Sequence, residues 1–193
     1  MGDELQFDAV RHEYRVGGRV VPSVTTVLAI LTDFGAVPAE VLARAAEFGT
    51  HVHQACALWN AGRLDEDSLD PALAPYLAQW QRFVAESGAE IRDSELAVHH
   101  RGLGYAGTLD VLADWKGQRC VIDIKTGAVP RTVGAQTEAY RRAYESQECG
   151  VMPRRRYCVQ LTADAYKVHA LTDPSDWALY TSCLNVWRFR NAS

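Results

Sequence analysis

Asp123 and Lys125 stand two residues apart in the apolar run VIDIKTG, residues 121 to 127. Side chains two apart on a strand share a face, so this carboxylate and this ammonium lie together with Val121, while Ile122 and Ile124 point the other way. Burying either charge alone costs far more than a strand supplies, so a partner, a metal or solvent must be present. Asp110 lies thirteen residues before Asp123, at or near the end of the preceding apolar run. A tight turn at Lys116-Gly117 folds that run back and brings Asp110 near Asp123. Two close carboxylates repel each other unless a cation sits between them. Hard oxygen donors that leave positions to water and phosphate suit magnesium or manganese. A neighbouring lysine can then lower the pKa of a metal-associated water or stabilise charge developing on a phosphoryl oxygen. The plainer alternative is a structural ion pair at a strand end, with Asp110 a turn residue. The D-x-K pair alone favours that alternative; Asp110 behind Gly107-Thr108 and before a turn favours the site.

The elements that must hold these residues follow from periodicity. HEYRVGGRVVPSV (12 to 24) reads as a hairpin around Gly17-Gly18, and Pro22-Ser23 opens the helical pattern VTTVLAIL. A second helix runs from near Pro38 to Gly62, with a fresh cap at Thr50 because Gly49 weakens its interior. The acidic LDEDSLD is a solvated link, and PALAPYLAQWQRFVAESG is a helix that stops at Gly88. The period then changes: AEIRDSELAVHH, YAGTLDVLADW and QRCVIDIKTG read as three consecutive strands. A helix from Gly134 to Gly150, a strand pair in RRRYCVQLTADAYKVHAL and a closing helix after Asp173-Pro174-Ser175 complete the order.

On that frame several further residues acquire roles. Gly107 permits close backbone approach beside a metal or nucleic acid, and Thr108 shares a face with Asp110, where it can steady it or touch phosphate. Thr126-Gly127 ends the lysine strand and opens the chain toward a cleft. Arg131, Arg141, Arg142 and the run Arg154-Arg155-Arg156 form a basic stretch suited to phosphate contact, the alternative being a solvated face that balances an acidic half. Gln136 and Tyr140 are four apart and face one way on a helix. His53 is equally at home as a satisfied histidine among helices or as a ligand; as a ligand it favours tolerance of manganese. His99-His100 reads as a surface pair at a strand end.

The chain has 193 residues, enough for one well-filled core, so a single domain is expected over 1–193, with a hairpin and helical part (1–88) and a core sheet with flanking helices (89–193). The acidic start MGDELQFD and the lack of a long apolar stretch predict a chain with neither signal peptide nor membrane span, located in the cytoplasm. The net charge of -4 is uneven: residues 1 to 100 carry 15 acidic and 7 basic side chains, residues 101 to 193 carry 9 and 13. The second half has the sign that attracts a polyanion. Five scattered cysteines, 56, 120, 149, 158 and 183, include no C-x-x-C pair and read as reduced thiols.

An ordered set of short motifs resembles the PD-(D/E)XK nuclease superfamily, in particular its RecB-like and phage exonuclease branch. The motifs are GTHVH at 49 to 53, ELAV at 95 to 98, AGTLD at 106 to 110, VIDIKTG at 121 to 127 and QTEAY at 136 to 140, and the opening HEYRVGGRVVPSVTTVL at 12 to 28 resembles phage members. Together they span about two thirds of the chain. The resemblance implies an α/β (α+β) fold with a restriction-endonuclease-like core, a central mixed sheet flanked by helices, extended by the amino-terminal hairpin and helices. It implies Asp110 and Asp123 as metal-binding acids, the Ile124 carbonyl as a further oxygen ligand, His53 in the metal shell, Glu95 as supporting acid and Lys125 as the catalytic lysine. Gln136 and Tyr140 match a Q-x-x-x-Y motif that orients the lysine or holds DNA backbone. Members with an iron–sulfur cluster use closely spaced C-terminal cysteines that are missing here, so no cluster is expected.

The activity implied is a Mg2+- or Mn2+-dependent deoxyribonuclease of phage or bacterial DNA replication, recombination or repair. An exonuclease acting on a linear duplex end or a single strand is the leading form, and a recombinase or single-strand-binding protein is a further partner the resemblance admits. A structure-selective or nicking endonuclease with a more open cleft, a non-catalytic DNA-end-binding accessory and a structural protein are the alternatives. Circular DNA separates the first from an exonuclease; an intact D…D-x-K…Q-x-x-x-Y set argues against the second.

Overall fold

The computed structural model describes residues 4–8, 11, 13–31, 35, 37–147 and 150–192. His12, which opens the expected hairpin segment, and Cys149 of the thiol set lie outside the described residues. The chain forms β1 (Leu5–Asp8), β2 (Glu13–Val16), β3 (Arg19–Val21), α1 (Val24–Leu28), α2 (Ala39–Asn60) and α3 (Ala74–Ser87). Then come β4 (Glu90–His100), β5 (Tyr105–Trp115), β6 (Gln118–Lys125), α4 (Val133–Ser146), β7 (Arg155–Leu161), β8 (Tyr166–Ala170) and α5 (Asp176–Asn191). It is a mixed α/β fold: a five-stranded sheet in the order β4-β5-β6-β7-β8, with only the β6–β7 pair parallel, flanked by helices and preceded by an antiparallel three-stranded sheet.

The turn chemistry set by the sequence is realised. Gly17 and Gly18 join β2 to β3 with φ of 55° and 79°, and Lys116 and Gly117 join β5 to β6 with φ of 53° and 74°, the two positive values that a two-residue hairpin with the twist of its strands requires. Ser23 caps α1 by accepting the Thr26 N–H at 3.0 Å, and Pro22 and Ser23 also bind the strand carrying Asp110, through an Ala106 N–H bond to the Pro22 carbonyl and a parallel bridge to Ala106. The second helix differs from expectation. α2 runs unbroken through Gly49, because Thr50 turns its hydroxyl back to the Ala46 carbonyl at 3.0 Å instead of capping a new helix.

Two apolar layers enclose the sheet. On one side Leu112 and Val121 pack with Val24, Val27, Tyr140, Tyr180 and Leu184. On the other Val111, Ile122 and Ile124 pack with Val52, Trp80 and Phe83. Alternation along β6 thus divides the two layers as strand geometry demands. The Trp80 indole N–H bonds Asn60, whose amide bonds Ser94, both at 2.9 Å, so α2, α3 and β4 are pinned at one point.

Gly107 is the seat of Tyr140. A Cβ there would lie 2.6 Å from Tyr140 Cε1 and 3.4 Å from Val24 Cγ2, so the close approach it permits is that of a ring from α4. Gly107→Ala is expected to overpack this contact and destabilise the protein by about 1–3 kcal/mol. A urea midpoint equal to that of the parent protein would show that the ring moves aside freely.

Candidate metal centre

The site forms where β5 and β6 part. Their ladder runs from Trp115↔Gln118 to Val111↔Ile122 and stops there, while β6 continues alongside β7 to Lys125↔Gln160 and β5 alongside β4 to Tyr105↔His100. At the fork Asp110 Oδ2 accepts the Ile124 N–H at 2.7 Å, replacing the main-chain partner that the parting strand withdraws. Asp110 is therefore the sixth residue of the eleven-residue β5 and not its end; what ends beside it is the pairing with β6. Its second oxygen, Oδ1, faces His53 Nδ1 of α2 at 3.6 Å, and Glu95 Oε1 of β4 approaches the same nitrogen at 4.0 Å.

His53, Glu95 and Asp110 each offer a ligand atom, and these atoms lie within 4.8 Å of one another. One imidazole and two carboxylates form a donor set suited to a hard divalent ion. Glu95 reaches it at a conformational cost, since its φ is 52° in the middle of a strand, a region that disfavours side-chain-bearing residues. His51, by contrast, is exposed on α2.

Asp123 is not in that triad. Its side chain is 1% exposed, and Lys125 Nζ lies 2.9 Å from Oδ1 and 2.8 Å from Oδ2, with a directed hydrogen bond to Oδ1. Burial pushes the Asp123 carboxyl up, Lys125 pulls it back and Asp110 adds to the rise, leaving it above the ordinary carboxylate range. Burial works in the same direction on Asp110, but His53 and Lys125 outweigh it and hold that carboxyl low. The His53 imidazole is disfavoured as a cation by burial, yet Asp110 beside it lifts its pKa to about 9. Burial and Asp110 together raise Glu95 to about 7, with His53 opposing. A centre that stores protons on Glu95 and His53 in the absence of a cation has the electrostatics of a cation site.

The surrounding residues fall into two groups. Gln136 donates to the Tyr140 hydroxyl at 3.3 Å, and Asp110 and Asp123 both act on that buried phenol, whose pKa burial raises. Thr108 bonds the Tyr14 hydroxyl of β2 at 2.8 Å. Thr126 faces α2, its Oγ1 3.5 Å from where a Gly49 Cβ would stand. Arg131 is exposed on the β6–α4 connection.

Arg141, Arg154 and Arg155 lie elsewhere. Arg155 pairs in register with Cys120, five residues from Lys125 on β6, a separation of about 17 Å along the sheet. Arg141 binds Glu138 and Glu145 on α4. Glu138 also takes Arg142 and Arg156, each at 3.0 Å. Burial raises the Glu138 carboxyl, but these guanidiniums overcome it and hold the group below its ordinary 4.5. Its contribution to stability is present above 4.5 and is lost as pH falls through the lowered value in the folded protein. Glu138→Gln is expected to cost about 2–3 kcal/mol at neutral pH and to flatten the acid limb of a stability–pH curve. An acid limb as steep as the parent's would refute that role.

Two residues not singled out from sequence adjoin the centre. Tyr14 reaches it from the amino-terminal sheet, stacked on Phe7 at 4.5 Å; alternation about Gly17-Gly18 was the available signal. Cys158 pairs directly with Asp123 across β6 and β7, visible only once strand order is known. His99 is buried, 4% exposed, with its Nδ1 3.3 Å from the Gln147 amide, so the surface expectation for it does not hold. Cys56, Cys120, Cys158 and Cys183 are free thiols.

No protein-family model matches the chain, and no curated protein matches it. Among solved structures, the alkaline exonuclease LHK-Exo from Laribacter hongkongensis aligns over 87% of this chain and 86% of its own, at 13% identity and a TM-score of 0.43. LHK-Exo in complex with dAMP aligns over 88% and 87%, at 13% identity and 0.40. The protein SSO0001 aligns over 61% of this chain, at 16% identity and 0.38, and this chain spans 57% of its length. These similarities are of form. Among the described residues, no helix is long and apolar enough to cross a membrane.

Proposed function

We propose that this chain is a divalent-metal-dependent deoxyribonuclease, acting as an exonuclease on linear or single-stranded DNA. The observation that carries the reading is the convergence of His53, Glu95 and Asp110 from three separate elements, beside a buried carboxylate held by Lys125. The motif resemblance adds the ordered D…D-x-K…Q-x-x-x-Y set.

His53, Glu95 and Asp110 would hold the ion, and Asp123 and the Ile124 carbonyl border it on the lysine side. Bound there, a Mg2+ or Mn2+ ion supplies electrophilic polarisation of the phosphodiester and a more acidic water. Asp110 Oδ1 remains available to it because Oδ2 is engaged by the Ile124 N–H. Lys125, whose ammonium Asp123 and Asp110 maintain against burial, places a hydrogen-bond donor where the attacking water and the charged phosphoryl oxygens must sit. Gln136, Thr108, Thr126 and Arg131 would contact the DNA backbone, whereas Tyr140, 4% exposed, would act only through its hydrogen bond with Gln136. Phosphate contacts carry no sequence code, so cleavage is expected without strong sequence preference.

Digestion of linear DNAs labelled at each 5′ and 3′ end, beside circular single-stranded and closed duplex DNA, tests the proposal with magnesium, with manganese and with chelator. Metal-dependent shortening from one end only is the expected result. Cleavage of the circles would replace the exonuclease with an endonuclease, and no cleavage with either ion would remove the nuclease reading.

A further inference from the structure

The amino-terminal sheet borders the metal centre, and one of its side chains is an exposed aromatic ring. Phe7 of β1 stands directly opposite Tyr14 of β2 in register, so the two side chains leave the same face of this small sheet. That face is turned to the five-stranded sheet, because the Tyr14 hydroxyl bonds Thr108 at 2.8 Å. Tyr14 is buried there, 3% exposed. Burial raises the pKa of its phenol, the Thr108 bond lowers it, and Glu95 is close enough to add to the rise. Phe7 is 40% exposed, on the outer strand of its sheet. β1 lies against β4, the strand of Glu95, which is the exposed member of the triad. Thr108 and Asp110 are about 6.6 Å apart along β5, and the hydrogen bond and the stack continue from Thr108, so the Phe7 ring lies within about 17 Å of Asp110.

A cross-strand aromatic pair is an ordinary way to stabilise a sheet, and a fully buried one would need no further account. Here the stack runs outward. Tyr14, fixed by Thr108, is the floor, and Phe7 lies on it with ring centroids 4.5 Å apart and planes 25° apart. A near-parallel stack whose outer ring is partly open to solvent, a few nucleotides from a phosphodiester-cleaving centre, has the geometry that a nucleobase can extend. The floor sets the tilt of the Phe7 ring before any ligand arrives, which lowers the ordering cost of binding. Every base has such a face, so this contact, like those to phosphate, carries no sequence code. It does discriminate by structure. A base inside a duplex is covered on both faces by its neighbours and must be unstacked at a cost, whereas a base of a single strand needs much less.

We propose that Phe7, seated on Tyr14, is a stacking platform for an unpaired nucleobase of the strand being cleaved, and that it favours single-stranded or frayed ends over paired DNA. The identity of the ligand rests on the nuclease reading, which the platform deepens by naming the form in which DNA reaches the centre. Tyr14 is a positioning residue that acts through Phe7.

The test is binding in chelator, followed by the anisotropy of fluorescein-labelled oligonucleotides of about 12 nucleotides. Three are compared: a single strand, a strand of the same length abasic at every position, and a blunt duplex. Phe7→Leu keeps an apolar cover over Tyr14 and removes the ring face; Phe7→Trp enlarges that face. Phe7→Leu is expected to bind the single strand roughly tenfold more weakly and the abasic strand as tightly as the parent. The logarithmic salt slope should not change, because no charge is removed. Phe7→Trp should bind the single strand at least as tightly as the parent. A purely structural role for the pair predicts equal losses on all three ligands. Equal single-strand affinity for Phe7→Leu and the parent overturns the platform, and so does the same loss on the abasic strand or on the duplex. Should circular dichroism show Phe7→Leu unfolded, Phe7→Trp decides: tighter binding confined to the strand with bases supports the platform, and any other result overturns it. The two readings fail separately. Metal-dependent cleavage without base-dependent binding removes the platform alone, and base-dependent binding without cleavage removes the nuclease alone.

Discussion

Lys125→Ala is expected to lower DNA cleavage by about a thousandfold or more and to leave a folded protein whose stability has become strongly pH-dependent. The first effect follows from the loss of the only ammonium beside the carboxylates at the fork among the described residues. The second follows from Asp123, which is 1% exposed and ion-paired with Lys125. Breaking a buried pair by removing one member costs about 3–5 kcal/mol when both are fully enclosed; Lys125 is 22% exposed, so the lower part of that range applies. The stranded carboxylate escapes much of the cost by taking a proton. Its pKa already stands above the ordinary value through burial, and losing the lysine raises it further. An acid whose folded pKa exceeds its unfolded one is penalised progressively as pH rises between the two. The variant should therefore be nearly as stable as the parent at pH 5 and clearly weaker at pH 8. Denaturant unfolding at both values, with cleavage measured in parallel, checks this. Lys125→Arg, which keeps the charge, should recover the stability at pH 8 and little of the cleavage, because a planar fork cannot stand in for a compact ammonium. A Lys125→Ala protein that cleaves normally would end the catalytic assignment, whatever its stability.

The sequence showed the hairpin, its turn and the face shared by Asp123 and Lys125, because strand alternation and the Lys116-Gly117 turn are local properties. Most helices were legible for the same reason: Gly88 ends α3 with φ of 67°, and Ser23 caps α1. What could not be read locally was relation across elements. The placement of Asp110 as the point where two strands part depends on the β7 partner of β6, more than thirty residues downstream. The joining of His53 to Asp110 depends on how α2 packs on the sheet, and an amphipathic pattern does not specify which histidine meets which strand. The backbone of Glu95 opposes its own strand propensity, so no propensity argument would place it. The arginines show the limit from the other side. They are close in sequence, which invited a single basic surface at the cleavage centre, yet α4 carries its glutamates and arginines on the side turned away from Tyr140. Proximity along the chain was the wrong measure there; angle about a helix axis was the right one.

Asp110 does two things at once, and Asp110→Asn separates them. Its Oδ2 satisfies the Ile124 N–H, and an asparagine carbonyl oxygen can accept the same bond, whereas alanine leaves a main-chain donor without a partner at a cost of about 1–3 kcal/mol. At pH 5 Asp110→Asn should therefore be more stable than Asp110→Ala, though both lack the His53–Asp110 pair of the parent. Both should lose cleavage, and both should bind Mn2+ at least about a hundredfold more weakly, more than the loss typical of outer-sphere changes. The metal-free protein offers an independent readout. Burial disfavours the His53 cation, and Asp110 is the leading influence that lifts its pKa to about 9, so in Asp110→Asn an NMR titration of His53 should give 6.5 or lower. Stability follows with the sign fixed by linkage. A histidine raised from 6.5 to about 9 contributes stability that is full below 6.5 and is lost as pH climbs through 9. Glu95, raised from 4.5 to about 7 by burial and by Asp110, is penalised over its own window from 4.5 to 7. Both slopes run the same way, so the metal-free parent should weaken steadily from pH 5 to pH 9 and Asp110→Asn should weaken much less. Saturating Mn2+ should restore the parent at high pH, since an ion that binds only the folded state stabilises it by mass action, and should do little for the variant. A parent protein equally stable at pH 5 and pH 9 without metal, or a His53 that titrates near 6.5 with Asp110 in place, would mean that these three side chains do not form one electrostatic unit.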